Sequence, residues 1–201
     1  MKKLLHRRFG GLLPVVVDCE TGGYNPQEDA LLEVAAVSLR YNDAGILVQD
    51  QVWHYHVQPF SGSHISAESL EVTQIKPDHP FRYAISEQEM LTELTAALRE
   101  NLQQVGCRRA VLVGHNAQFD LSFLQAAYAR AAMLGQSPFH RFTTLDTATV
   151  AAVCLGETVL ARAMRRAKLR FDVTEAHSAL YDAKKTAELF CKIINRLDDV
   201  Y

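Results

Sequence analysis

The stretch VVVDCETGG, residues 15–23, sets the hardest condition on any fold this chain adopts. Val15, Val16 and Val17 form a continuous β-branched run, the pattern of a strand buried on both faces. That run leads without a break into Asp18 and Glu20. Alternate side chains of a strand share a face, so Asp18 and Glu20 point one way and Cys19 the other. At about 3.3 Å of rise per residue, their Cα atoms lie roughly 6.5–7 Å apart. Two carboxylates so close repel, and partial burial sharpens the repulsion. The fold must therefore bring this strand end to water, to a cationic side chain or to a divalent metal.

The 201 residues suffice for one substantial core and are read as a single domain over 1–201. Apolar residues make up 48% and charged residues 22%, the ordinary balance of a soluble globular protein. The basic start, MKKLLHRR, has no long apolar stretch behind it, because His6, Arg7 and Arg8 interrupt. No run is read as long enough to span a membrane, and a cytoplasmic location is expected. Cys19, Cys107, Cys154 and Cys191 form no C-x-x-C pair and no zinc-like spacing, so buried free thiols are expected. A net charge of −2 argues against a uniformly basic nucleic-acid binder. The basic residues are nevertheless clustered. Arg162, Arg165, Arg166, Lys168 and Arg170 stand in a nine-residue stretch without an acid; Lys2, Lys3, Arg7 and Arg8 form a second group, and Arg108 with Arg109 a third.

The first strand is followed by a polar loop, TGGYNPQED, and then by two strand-like stretches, ALLEVAAVSLRY and ILVQDQVWHYHV. Asn42, Asp43 and Gly45 between them suit a hairpin turn, so the three strands are expected to be antiparallel neighbours. SAESLEVTQI reads as a short helix. SEQEMLTELTAALRENLQQV reads as a long one, with Ser86 and Glu89 at capping-box spacing. AVLVGHN is a buried strand, and the helix after it takes Asn116 as its expected N-cap. FTTLDT reads as a short fifth strand. TATVAAVCLG is helical to a stop at Gly156, and HSALYDAKKTAELFCKIINRL is the final helix. The fold class is α/β: one mixed sheet with helices on both faces.

In such sheets, sites gather where strand ends meet helix starts. Asp120 lies in the first turn after a strand. His177 precedes the last helix and Asp182 follows five residues later. Five residues advance about 500° on a helix, so the two cannot share a face within it. They converge if His177 sits in the preceding loop.

D-x-E on the first strand, H-N-x-x-F-D in mid-chain and H-x-x-x-x-D near the end together resemble the DEDD exonucleases, in the branch with histidine in the last motif. That family has a ribonuclease H-like fold. PVVVDCETGGYN, HYHVQPF, FTTLDTATVA and AHSALYD look most like its ribonuclease T branch. The resemblance implies that Asp18, Glu20, Asp120 and Asp182 hold two Mg²⁺ ions, with Mn²⁺ as a substitute, and that His177 is the general base. Four carboxylates make a hard oxygen site suited to such ions. An imidazole titrating at roughly 6.5 suits proton removal from water near neutral pH. The reaction implied is hydrolysis of the terminal 3′ phosphodiester, with release of a nucleoside 5′-monophosphate. The substrates implied are single-stranded 3′ ends of structured RNAs, tRNA among them, with single-stranded DNA also accepted.

The resemblance also implies aromatic wedges at the terminal bases, which carry over onto Tyr24, Phe119 and Phe142. Glu68 carries over as a base contact, and Thr21 and Gly22 as a small-residue loop beside the 3′ nucleotide. Val72 stands where an aromatic is expected, which puts the family's bias against a terminal cytosine in question. Enzymes of this branch are homodimers in which one subunit's basic patch serves the other's site. Arg8, Arg109 and the cluster with Arg162, Arg165 and Arg166 are candidates for that patch. Two readings compete: another exonuclease of the same chemistry (a proofreading subunit or an oligoribonuclease), and a catalytically silent RNA-binding module.

Overall fold

The structure, a computed structural model, describes residues 5–198. Lys2 and Lys3 of the N-terminal basic group lie outside the described residues. A short helix, α1 (Leu5–Arg8), leads into strand β1 (Leu12–Thr21), followed by β2 (Leu31–Tyr41) and β3 (Leu47–His56). Helix α2 (Ala67–Thr73) and helix α3 (Glu87–Val105) precede β4 (Arg109–Gly114). Then come α4 (Gln118–Arg130), β5 (Phe139–Asp146), α5 (Thr147–Leu155), α6 (Leu160–Arg166) and α7 (Ala179–Asp198). The five strands form one sheet in the order β3-β2-β1-β4-β5. β1–β2 and β2–β3 are antiparallel, whereas β4 joins β1, and β5 joins β4, in parallel.

The valine run therefore occupies the central strand. Val15, Val16 and Val17 are almost fully buried, as is nearly every residue of β2. Unbroken burial along a strand requires cover on both faces. α7 packs against β1, β2 and β3, while α3 and α4 pack against the β4 side. Asn195 on α7 clamps the sheet: Leu47 donates its N–H to Asn195 Oδ1 at 2.7 Å, and Asn195 Nδ2 donates back to the Leu47 carbonyl at 2.9 Å. At the other side, Arg130 at the end of α4 grips Glu87 at the start of α3 with two bonds of 2.7 and 2.9 Å. It also donates to the Pro26 carbonyl at 2.7 Å, which fixes the loop after β1.

Most expected elements appear where the pattern put them. Ser86 accepts the Glu89 N–H at 3.2 Å, and Gly45 takes a left-handed φ of 72° in the hairpin. Three expectations need correction. Asn116 does not cap α4: it takes φ 70° and its N–H donates to Asp146, while Ala117 occupies the cap position. The turn out of β4 is too tight for an extended cap residue, and asparagine tolerates the left-handed bend. Cys154 is exposed, unlike the other three thiols, because it lies on the outer side of α5. Finally, Thr147–Arg166 is apolar enough over 20 residues, with mean hydropathy 1.3, to pass as a span by length and composition. It folds instead as α5 and α6 with a break after the left-handed Gly156, and both pack against α7 through Ala151, Ala163 and Met164.

Candidate active site

β1 outruns β4 at its C-terminal end: the parallel ladder stops at Val16 opposite Val113, and Asp18 and Glu20 continue past it. The register with β2 then slips between Glu20 and Thr21. A bulge of this kind bends the strand and re-aims the side chains beside it. Two carboxylates are thus presented on one face of the central strand, as alternation requires.

Two helices complete the cluster. α4 starts just past the end of β4 and carries Asp120, whose Oδ1 accepts the Cys19 N–H at 2.9 Å. This bond docks Asp120 onto β1 between the other two acids. Gly114 makes the approach feasible. A Cβ there would lie 3.0 Å from Asp120 Oδ2 and 3.0 Å from the Ala117 Cα. Asp182 enters from the first turn of α7. Its Oδ2 accepts the His177 N–H at 2.9 Å, and His177 lies in the loop before α7 with φ 66°. The five-residue separation is bridged by that loop residue, outside the helix. Asp18, Glu20 and Asp182 each bring an oxygen within 4.8 Å of the others.

Charge is concentrated here without a counter-charge among these side chains. Burial, then Asp120, Glu20, Asp182 and Glu33, push the Asp18 carboxyl well above the usual carboxylate range. Burial, Glu33, Asp182 and Asp120 raise Glu20 to about 8. Burial raises Asp120 to about 7 against the opposing bond from Cys19. Burial also raises Asp182, with the His177 N–H pulling the other way. Asp182 Oδ1 is buried and has no hydrogen-bond partner. An orphan carboxylate oxygen is costly unless something charged satisfies it. An all-oxygen donor set of this charge fits a hard divalent cation.

The other candidate residues divide into two groups. Near the site, Thr21 Oγ1 donates to the Gly23 carbonyl at 2.6 Å. Gly22 has no room for a side chain, since a Cβ would meet the His64 carbonyl oxygen at 2.7 Å. The same loop displays Tyr24, 79% exposed, with its ring edge toward Phe119 at 6.4 Å. Phe119 also packs on Phe123 at 4.9 Å, so it joins the core and meets Tyr24 together. Phe142 is 78% exposed with the Arg141 guanidinium over its ring. Glu68 is exposed in the first turn of α2, and Val72 is half-exposed on the same helix.

The basic candidates are not gathered at the acids. Arg8 and Arg109 sit at the opposite end of β1 and β4, where Arg8 pairs with Asp198 at 2.7 Å. Arg162, Arg165 and Arg166 line the exposed side of α6. Arg162 and Arg166 both reach Glu157, at 3.4 and 3.7 Å. The sequence reading missed Gly114, His115 and Asp146. His115 contacts Thr147 and the Thr158 carbonyl, and Asp146 caps α5 through the Ala148 and Thr149 N–H groups. The available signal was an aspartate directly before a helix.

The profile of the RNase T family, described as "Exonuclease", matches residues 15–190, from β1 into α7. The chain belongs to the RNase T exonuclease family. A relative named "Ribonuclease T" from Yersinia enterocolitica is 49% identical over 192 residues, covering 96% of this chain and 89% of the relative. The fold is shared with more distant proteins. The nuclease domain of 3′hExo, described as a DEDDh family member bound to rAMP, superposes with TM-score 0.71 at 16% identity, covering 92% of each chain. Exonuclease I of E. coli in complex with a dT13 oligonucleotide gives TM-score 0.71 at 15% identity. That match covers 94% of this chain but 42% of Exonuclease I, so this RNase T family chain spans less than half of that enzyme.

Proposed function

We propose that residues 1–201 act as one 3′-5′ exonuclease domain that trims single-stranded 3′ ends of structured RNAs and releases nucleoside 5′-monophosphates. The observation that carries this reading is the convergence of Asp18, Glu20, Asp120 and Asp182 beside His177, with one Asp182 oxygen buried and unpartnered. The 49% identity to a ribonuclease T supports RNA as the substrate. The oligonucleotide held by Exonuclease I supports acceptance of single-stranded DNA as well.

Asp18, Glu20, Asp120 and Asp182 would hold two Mg²⁺ or Mn²⁺ ions. Bound there, the ions would supply activation of the attacking water and stabilisation of charge on the phosphate and the departing 3′ oxygen. His177, exposed and on a loop, takes the proton from the water. Asp182 holds the His177 backbone, which sets where the imidazole is presented. Tyr24 and Phe119 offer stacking surfaces for the terminal base, with Phe142 as a third. Glu68 is the base contact, and Thr21 with Gly22 lets backbone approach the 3′ nucleotide.

We assign the basic residues to a homodimer. Arg8, Arg109, Arg162, Arg165 and Arg166 would receive the upstream phosphates of an RNA whose 3′ end lies in the partner subunit. The position of Arg8 and Arg109, at the end of β1 and β4 away from the acids, supports this arrangement, and full-rate trimming by a monomer would exclude it. The direct test is a 5′-labelled RNA hairpin with a short 3′ tail, incubated with Mg²⁺ and, separately, with chelator. The tail shortens one nucleotide at a time to the stem in Mg²⁺ and stays intact in chelator. An intact tail in both refutes the proposal.

A further inference from the structure

The HYHVQPF segment has no part in the chemistry above, yet it builds a second cluster of donors. Glu33 on β2 pairs in register with His56 on β3, and Ala35 pairs with His54. His54 and His56 are two residues apart on one strand, so both imidazoles stand on the face that Glu33 occupies. One donor atom from each of Glu33, His54 and His56 lies within 4.8 Å of the other two. His54 Nε2 is 2.5 Å from Glu33 Oε1, and the two rings are 4.8 Å apart. Glu33 is buried, and His56 Nδ1 is buried without a hydrogen-bond partner.

The pairing of His54 with Glu33 explains one contact of this set. It leaves His56 Nδ1 unexplained, and a buried unpaired ring nitrogen costs free energy. We infer that Glu33, His54 and His56 form a second metal site, for a borderline divalent ion such as Zn²⁺, Co²⁺ or Ni²⁺. The donor chemistry separates it from the all-carboxylate cluster. Two imidazoles with one carboxylate select such ions, whereas Mg²⁺ and Mn²⁺ prefer oxygen alone. Metal–ligand bonds of about 2.0–2.1 Å place tetrahedral donors roughly 3.3 Å apart. The three donors, all within 4.8 Å of one another with one pair at 2.5 Å, bracket that spacing. Three protein donors leave a fourth position open. Arg82 flanks the set, donating to the Leu32 carbonyl, and its Nε and Nη1 are buried without partners. An anion on the bound ion gives those groups an acceptor and offsets the charge of the guanidinium.

The two centres adjoin, since Glu33 pairs in register with Glu20. The test therefore uses the full chain carrying Asp18→Asn and Asp182→Asn, which removes two acids of the first centre. Calorimetric titration with Zn²⁺ should give one ion per chain in that protein. Adding His54→Ala or His56→Ala should weaken binding by at least ~100-fold, because even outer partners of a ligand are worth 10–100-fold. Circular dichroism checks that each variant is folded. Should either histidine variant fail to fold, X-ray absorption of the Co²⁺ form of the parent decides: two nitrogen donors support the site, and oxygen donors alone overturn it. No binding in the parent, or unchanged affinity after both substitutions, also overturns it.

Discussion

Asp120 reaches β1 because residue 114 carries no side chain. Gly114→Ala would set a methyl against the Asp120 carboxylate and the Ala117 backbone, an overpacking that costs about 1–3 kcal/mol. The expected outcome is a lower Tm together with weaker Mg²⁺ binding, read by thermal melts and calorimetry on the same protein; a loss of stability without a change in ion affinity would separate Gly114 from the site. His177 stands differently. Its side chain is exposed, so His177→Ala should leave the fold and ion binding intact while lowering turnover by about 10²–10⁴-fold. An unchanged rate removes the imidazole from the mechanism. The acids and the histidine stood out because each sits where a strand end meets a loop or helix start, and the resemblance to the DEDD exonucleases is what joined them into one site. Gly114 was not, since the need for its bareness comes from a helix that folds back on it. Glu33 was hidden in the same way: within LLEVAAV it reads as one polar residue of a strand, and only register sets it opposite Glu20 and His56.

At the level of elements, periodicity read strands and long helices well because their burial is set by their own residues. β1 and β2 are buried along almost their whole length, and α3 is capped by Ser86 as its spacing requires. Element junctions were less legible. The β4–α4 turn is dictated by the approach of Asp120, and Glu157 lies outside the arginine stretch that α6 seemed to offer unopposed. Arg162 and Arg166 share Glu157, so under the proposed arrangement the exposed Arg165 is the arginine of this helix left to phosphate. Arg165→Glu should weaken RNA binding and lower the slope of log K against log salt by about one, from loss of one phosphate contact. Arg162→Glu should act less strongly. Equal losses at the two positions in a salt titration would contradict this ranking.

Across the whole molecule, the carboxylate cluster couples folding to protons and metal. Burial and neighbouring acids lift Asp18 and raise Glu20 to about 8, while burial raises Asp182 and takes Asp120 to about 7. An acid whose proton is held more tightly in the folded state stabilises the fold below its unfolded value, near 4. That stability is lost as pH rises toward 8. Metal-free protein should therefore melt at least ~5 °C lower at pH 9 than at pH 5, at about 2–4 °C per kcal/mol for this chain length. Excess Mg²⁺ should restore much of the loss at pH 9 and little at pH 5. Melting curves at both pH values, with and without the ion, check this; a pH-independent apo Tm would show that the acids are not crowded in solution.

The strand that holds two of the acids is also the middle of the sheet, and this joins durability to activity. Asp18 and Glu20 cannot drift unless the hydrophobic interior gives way with them. The opposite partner, His177, rides on a short exposed arm. In the proposed mechanism the acids are thus seated in the body of the molecule, and the imidazole that works with them is carried at its surface. Changes of speed that spare the interior are therefore expected at residues 172–175, exposed just before His177, because Ala167, Leu169 and Phe171 belong to the second apolar cluster.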